Sequence, residues 1–313
     1  MVSQRQVRGA GLSLSVTEYG ERGRPTVVLV HGFPDTSSVW VPLAHRLSSE
    51  LHVVAYDVRG AGHSGAPPSR GGYSLPRLVD DLEAVLDRTS PDAPVHLVAH
   101  DWGSVQGWEA VTTTGLANRF ASFTSISGPP LEHVALWARA HRSLRPADLR
   151  ETVGQALHSW YIAYFQLPWL PELMTRCFRA TDLWAAALHR VEQAPTDGDW
   201  PAVTFGTDFA HGVDLYRANV RSRLRHPVAR HTDVPVQLVV PLRDRYVRPA
   251  LLEGLEEWAS VMWRRPVDAG HWVIRSDPDQ VADWVREVVA YGEEGNESAD
   301  LRQYRVPLTP PGA

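Results

Sequence analysis

The sequence predicts an α/β protein: a doubly wound, mostly parallel sheet with a helical layer inserted late in the chain. Three observations carry that prediction. Residues 26–30 (TVVLV), 52–57 (HVVAYD), 95–100 (VHLVAH) and 234–241 (VPVQLVVP) are short, β-branched and nearly continuously apolar, as strands buried on both faces are. Helix-period stretches alternate with them at about 38–48, 75–88, 103–113, 251–260 and 278–291, and alternation of this kind means strand–helix–strand units. About a hundred residues then separate Pro130 from Val234, far more than a loop in a compact domain.

Taken in order, 26–30 is the first strand and 38–48 the helix that follows it. The run 52–57 is the second strand. Ser74-Leu75-Pro76 opens the next helix, with Ser as cap and Pro in the first turn. The strand 95–100 leads into a helix from Gly103, and 120–128 (FASFTSISG) reads as a weaker strand. After Gly128-Pro129-Pro130 the pattern turns helical and Trp-rich ("LHSWYIAYFQLPWLPELM", "DLWAAALHRVEQ", "LYRANVRSRLRH"). An insertion of that kind usually covers a site. The expected organisation is therefore a core over 1–128, a helical cap over 129–233, the rest of the core over 234–291, and a flexible tail over 292–313, where periodicity stops and turn formers accumulate.

Bulk properties exclude several function classes. A formal net charge of −5 with charges of both signs interspersed argues against a nucleic-acid partner, which calls for a basic face. The single cysteine, Cys177, cannot form an intrachain disulfide and fits a reducing compartment. The first residues, MVSQRQVRGAGLSLSV, have no apolar core of a secretory signal. The longest stretch without Asp, Glu, Lys or Arg, 152–171, is broken by Gly, Gln, His and Pro, so it reads as a pocket wall and not a membrane span. The expected setting is cytoplasmic.

Chemistry concentrates at the strand-to-helix corner "VAHDWGS". A nucleophile elbow holds its reactive side chain on a strained strand–turn–helix and needs small residues two positions before and after. Here Ala99 and Gly103 flank Asp101. The simpler alternative is that Asp101 only caps the following helix. Three further pieces speak for the elbow. His31-Gly32-Phe33-Pro34 follows a strand as an oxyanion loop does, and the backbone N–H groups of Phe33 and Trp102 are the expected donors. Asp244 in "VVPLRDRYVRP" and His271 in "VDAGHWVI" then supply acid and histidine in the order nucleophile, acid, histidine. Gly62-His63-Ser64-Gly65-Ala66 mimics a serine elbow, but Pro67-Pro68 prevents a helix from starting there. Ser104 falls inside a helix and is a poor nucleophile candidate.

The motifs "HGFP", "YDVRGAGHSG", "AHDWGS", "RDRYVRP" and "AGHW" resemble the α/β-hydrolase superfamily, and within it the soluble, bacterial type of epoxide hydrolase, over about residues 12–291. The resemblance implies an eight-stranded, mostly parallel sheet with an inserted helical cap, and no metal or organic cofactor. It also implies two cap tyrosines facing the nucleophile. "SWYIAYFQLP" places Tyr161 as the first, with Tyr164 as fallback, and "GVDLYRANV" gives Tyr216. The alternative for each is an ordinary packing aromatic.

Chemically, a carboxylate nucleophile suits displacement at saturated carbon, because it is already ionised. The resulting ester is cleaved by water, with His271 oriented by Asp244 as base. An opening epoxide develops alkoxide character and calls for O–H donors that stay protonated at neutral pH, which tyrosine provides. The expected activity is hydration of a small hydrophobic epoxide to a vicinal diol. Haloalkane dehalogenation is the alternative, kept open by the Trp102 indole as a halide donor, although Phe33 stands where many dehalogenases carry Asn. A non-catalytic receptor on the same fold is a third reading, set against an intact set of catalytic residues. His31, Pro34, Trp40, Trp160 and Trp272 are expected to contact substrate, with Trp102 and Trp169 as further candidate wall residues. Monomer and homodimer stay open.

Overall fold

The computed structural model describes residues 2–141, 145–175 and 180–307; Cys177 and the last part of the expected tail lie outside them. The chain builds an eight-stranded sheet in the order β1-β2-β4-β3-β5-β6-β7-β8. Its strands are β1 (Val2–Arg8), β2 (Ser13–Tyr19), β3 (Thr26–Val30), β4 (His52–Tyr56), β5 (Val95–His100), β6 (Phe120–Ile126), β7 (Val236–Pro241) and β8 (Met262–Val267). Only β2 runs against its neighbours; β4, β3, β5, β6, β7 and β8 pair in parallel.

Helices α1 (Val41–Leu47), α2 (Leu75–Thr89) and α3 (Trp102–Val111) follow β3, β4 and β5. Between β6 and β7 come α4 (Leu131–Ala140), α5 (Pro146–His158), α6 (Trp160–Phe165), α7 (Leu170–Thr175), α8 (Ala180–Val191) and α9 (Phe205–Arg225). The chain then returns to the sheet and adds α10 (Val273–Ser276), α11 (Pro278–Glu294) and α12 (Ala299–Arg302).

The apolar strands serve two cores at once. In β3, Val28 and Val30 join the cluster with Leu78, Leu82 and Trp108, while Val27 and Leu29 join the one with Trp40, Leu43, Val281 and Val285. Strand alternation sends successive side chains to opposite faces, so a run without polar residues demands helices on both sides. That is why α2 and α3 cover one face and α1 and α11 the other.

Three strands, one helix and the tail differ from expectation. Strands β1, β2 and β8 carry too many polar residues to read as buried runs. In β8 (MWRRPV), Arg265 is fully buried; it pairs with Glu287 and lies over the rings of Trp284 and Tyr304. The expected helix at 251–260 is two 3-10 turns, Pro249–Leu252 and Leu255–Trp258, because Gly254 between them adopts φ +81°. Finally, residues 292–307 are docked and not a loose tail: Leu301 is fully buried beside Trp263, whose indole donates to Glu297 at 2.7 Å, and Arg305 bridges to Trp263.

Candidate active site

The sheet's parallel strands end their carboxyl edge beneath α4–α9, and the site lies between them. Asp101 occupies the turn from β5 to α3 with φ +52° and ψ −121°, a conformation that costs an L-residue on the order of 1–3 kcal/mol and persists only where the surroundings impose it. They do so through close packing. A Cβ at Gly103 would stand 2.2 Å from the Val30 carbonyl oxygen, and one at Gly32 2.4 Å from Asp101 Oδ2. Asp101 makes no side-chain cap bond to α3, which removes the simple capping alternative.

The carboxylate is instead held between the Phe33 loop and the start of α3. The Phe33 N–H donates to Asp101 Oδ2 at 2.7 Å. Burial raises the Asp101 pKa, while the nearby His271 and the backbone N–H groups of Trp102 and Phe33 hold it down. His271 Nε2 lies 3.9 Å from Asp101 Oδ1. On the other side of the ring, His271 Nδ1–H donates to Asp244 Oδ2 at 2.9 Å. Asp244 Oδ1 accepts from the Tyr246 and Val247 N–H groups at 2.8 and 2.9 Å. These bonds and the His271 charge outweigh burial and keep Asp244 below its ordinary value.

For His271, burial alone would lower the pKa, but attraction to Asp244 and Asp101 dominates and lifts it to about 9. At neutral pH the ring is an imidazolium between two carboxylates.

Above Asp101 lies a cavity of about 700 Å³, within the usual range for small-molecule sites. Asp101, His271, Tyr161, Tyr216 and Tyr246 are among its lining residues, with Tyr161 in ring contact with Tyr216 and Tyr246, and Tyr246 with His271. The rest of the lining is largely aromatic, with Phe165 and Phe209 among its walls, and also includes His158 and Arg245. Tyr161 (α6) and Tyr216 (α9) stand edge to face, 5.9 Å between ring centroids. Burial and the charge of Asp101 push both hydroxyls well above 10, so both remain O–H donors. Tyr164 also reaches the cavity, but its hydroxyl donates to the Leu170 carbonyl at 3.3 Å.

Of the residues expected to contact substrate, Pro34, Trp160 and Trp272 line this cavity. His31, Trp40, Trp102 and Trp169 do not. His31 is buried; its Nδ1–H donates to the Gly32 carbonyl at 2.9 Å and Nε2 accepts from the Val58 N–H at 2.8 Å. Both ring nitrogens are spent on shaping the Phe33 loop. Trp40 is fully buried in the core on the other face of the sheet. Trp102 packs edge-on against Tyr216 at 4.8 Å. Trp169 is 70% exposed. The mimic Ser64 donates to the Asp57 carbonyl at 2.5 Å, and Ser104 to the Gly128 carbonyl at 2.8 Å.

Several site residues escaped the sequence. Tyr246 packs against His271 at 4.8 Å and Tyr161 at 5.7 Å. Asp35 accepts from the indoles of Trp272 and Trp200, both at 2.8 Å, and burial raises it to about 6. Glu192, just after α8, accepts from the His271 N–H at 2.9 Å. The "HGFPD" and "RDRY" motifs contained signals for Asp35 and Tyr246; Glu192 follows a helix whose sequence points nowhere in particular.

Comparison with known proteins gives the geometry its context. Residues 25–278 match the family model described as the alpha/beta hydrolase fold. A Mycobacterium tuberculosis protein named "Probable oxidoreductase EphD" is 37% identical over 280 residues, 87% of this chain and 47% of that protein. Epoxide hydrolase A of the same organism is 35% identical over 168 residues, 53% of this chain and 48% of that protein. The chain thus spans about half the length of these curated relatives. A crystal structure of a Bacillus megaterium epoxide hydrolase variant superposes with TM-score 0.76 at 21% identity, covering 91% of this chain and 99% of that one, a likeness of fold. With the family model spanning most of its length, the chain belongs to the α/β-hydrolase fold family.

Proposed function

We propose that the chain is an epoxide hydrolase that adds water to an epoxide to give a vicinal diol, through a covalent ester on Asp101. The observation that carries this is the facing of an elbow carboxylate, held by the Phe33 N–H, against the buried Tyr216 and the partly buried Tyr161 across a largely aromatic cavity. The relative named epoxide hydrolase supports the reading. The name oxidoreductase belongs to a protein of which this chain matches under half.

In the first step Asp101 Oδ1 attacks a ring carbon. The new O–C bond forms as the epoxide C–O bond breaks, and the departing oxygen takes a proton from the Tyr161/Tyr216 pair. Esterification removes the negative charge of Asp101, one of the attractions that keep His271 protonated. The imidazolium proton returns to the tyrosinate left by the first step, which restores the tyrosine pair, and the neutral imidazole is then available as a base. It takes a proton from water, and the hydroxide attacks the Asp101 carboxyl carbon. The oxyanion collects on Oδ2, in front of the Phe33 and Trp102 N–H groups, where each donor is typically worth about 100- to 1000-fold in rate. Collapse breaks the ester; the departing diol oxygen takes the proton of the newly added hydroxyl, so the diol leaves neutral, Asp101 is again a carboxylate and His271 keeps the proton it took from water.

Dehalogenation is the weaker reading: Trp102 is not among the residues lining the cavity, and its side chain hydrogen-bonds to Tyr216, which occupies the donor a halide would need. A panel of terminal, aryl and fatty-acyl epoxides with a chloroalkane control tests the assignment. Diol from an epoxide without halide from the chloroalkane is expected, and halide release alone would reverse it.

A further inference from the structure

Glu192 is a carboxylate that the reaction scheme above leaves unused. Its side chain is 4% exposed. It follows α8, in a segment whose Leu188, Ala194 and Trp200 pack into the same core cluster as Ala269, Trp272 and Val273. Oε2 accepts the His271 N–H at 2.9 Å. Gly270 leaves the room: a Cβ there would stand 2.6 Å from the same Oε2. Oε1 is buried without a hydrogen-bond partner, and the exposed Arg245 brings its Nε only to 3.8 Å. A neutral amide would accept the same N–H bond, so the bond alone does not explain a buried charge, which is costly where it is poorly paired.

What the charge faces is the catalytic histidine. Glu192 and His271 attract one another, and that attraction opposes the effect of burial on the carboxyl. Around His271 the other titratable or charged groups are Asp244 on the β7 loop, Asp101 at the elbow, His100 at the end of β5, Asp35 on the Phe33 loop, and Arg245 and Tyr246 beside Asp244. Of the carboxylates, Glu192 alone comes from the layer between β6 and β7.

We propose that Glu192 is a positioning residue for His271. One oxygen fixes the backbone from which the imidazole hangs, and the charge strengthens the imidazole's hold on its proton. The base in the second step then depends on the seating of α8: when that segment is docked, His271 is at its most basic. Only the kinetic consequence rests on the epoxide-hydrolase reading; the electrostatic link to His271 does not.

The test is Glu192→Gln, which keeps an acceptor for the His271 N–H and removes the charge. His271 is titrated by NMR in the full chain, its imidazole signal identified by its absence in His271→Gln. The midpoint is expected to fall by about one pH unit, the size of effect an opposite charge nearby produces. The acid limb of ester hydrolysis in single turnovers should fall with it. Glu192→Ala, which loses the acceptor as well, should show the same shift and a further loss of about tenfold in ester hydrolysis, as for one hydrogen bond. An unchanged His271 midpoint in either folded variant overturns the proposal. A wild-type chain that forms no ester refutes the epoxide-hydrolase reading and leaves the NMR result to judge Glu192.

Discussion

His271 Nε2 stands 3.9 Å from Asp101 Oδ1, while Asp101 Oδ2 is occupied by the Phe33 N–H at 2.7 Å. The two oxygens of one carboxylate are thus unequal before any substrate arrives. Oδ2 sits where an oxyanion is stabilised, and Oδ1 is left to bond to carbon beside the group that later activates water. This inequality carries the two-step scheme and determines how each step responds to mutation.

If the tyrosine pair protonates the departing oxygen, its loss belongs to the first step. Tyr161→Phe and Tyr216→Phe should each lower the rate of ester formation by about 10- to 100-fold, within the range typical of positioned proton donors. Rapid-quench measurement of alkylated enzyme checks this. An unchanged rate in Tyr216→Phe would leave that hydroxyl without the role given to it.

Removing the base should separate the steps in the opposite direction. His271→Gln is expected to form ester and stall, with one equivalent of substrate attached to Asp101 and turnover reduced at least about 1000-fold. Intact-mass and peptide spectrometry reads the adduct. Full turnover without an adduct would assign the base elsewhere.

His271 also predicts a pH dependence of stability. Its folded pKa is raised, from an ordinary 6.5 to about 9. A raised value stabilises the fold fully below the unfolded pKa, and the contribution fades as pH rises through the folded one. The stability difference between wild type and His271→Gln should therefore be largest below pH 6.5. It should shrink by an amount on the order of 3 kcal/mol as the pH passes above about 9. Urea unfolding at a series of pH values measures it, and a difference that is flat across that window would contradict the imidazolium assignment.

How much of this could be read from the chain follows from where each residue's information lies. Strands β3, β4, β5 and β7 were legible because burial on both faces leaves a nearly continuous apolar run, β6 less so because Ser122, Thr124 and Ser125 interrupt it, and α2 because Ser74 and Pro76 mark its start. Strand β8 was hidden because Arg265 is buried with Glu287 and two aromatic rings, a pairing made only by the fold. At the site, Asp101, Asp244 and His271 announce themselves in local motifs, since elbow geometry is a property of five consecutive residues. Trp40 and Trp169 misled because a tryptophan's side of the wall is set by packing, which composition does not encode. Glu192 was invisible for the same reason: its partner is a backbone N–H 79 positions away.

The oxygen atoms decide the central claim. In a single turnover of a reactive epoxide in heavy-oxygen water, Oδ1 of Asp101 leaves with the diol and the solvent oxygen enters the carboxylate. Mass spectrometry of the peptide containing Asp101 should then find one heavy oxygen on that residue and none in the diol. Label in the diol with an unlabelled Asp101 would mean that water attacked the epoxide directly, and the covalent route would be wrong.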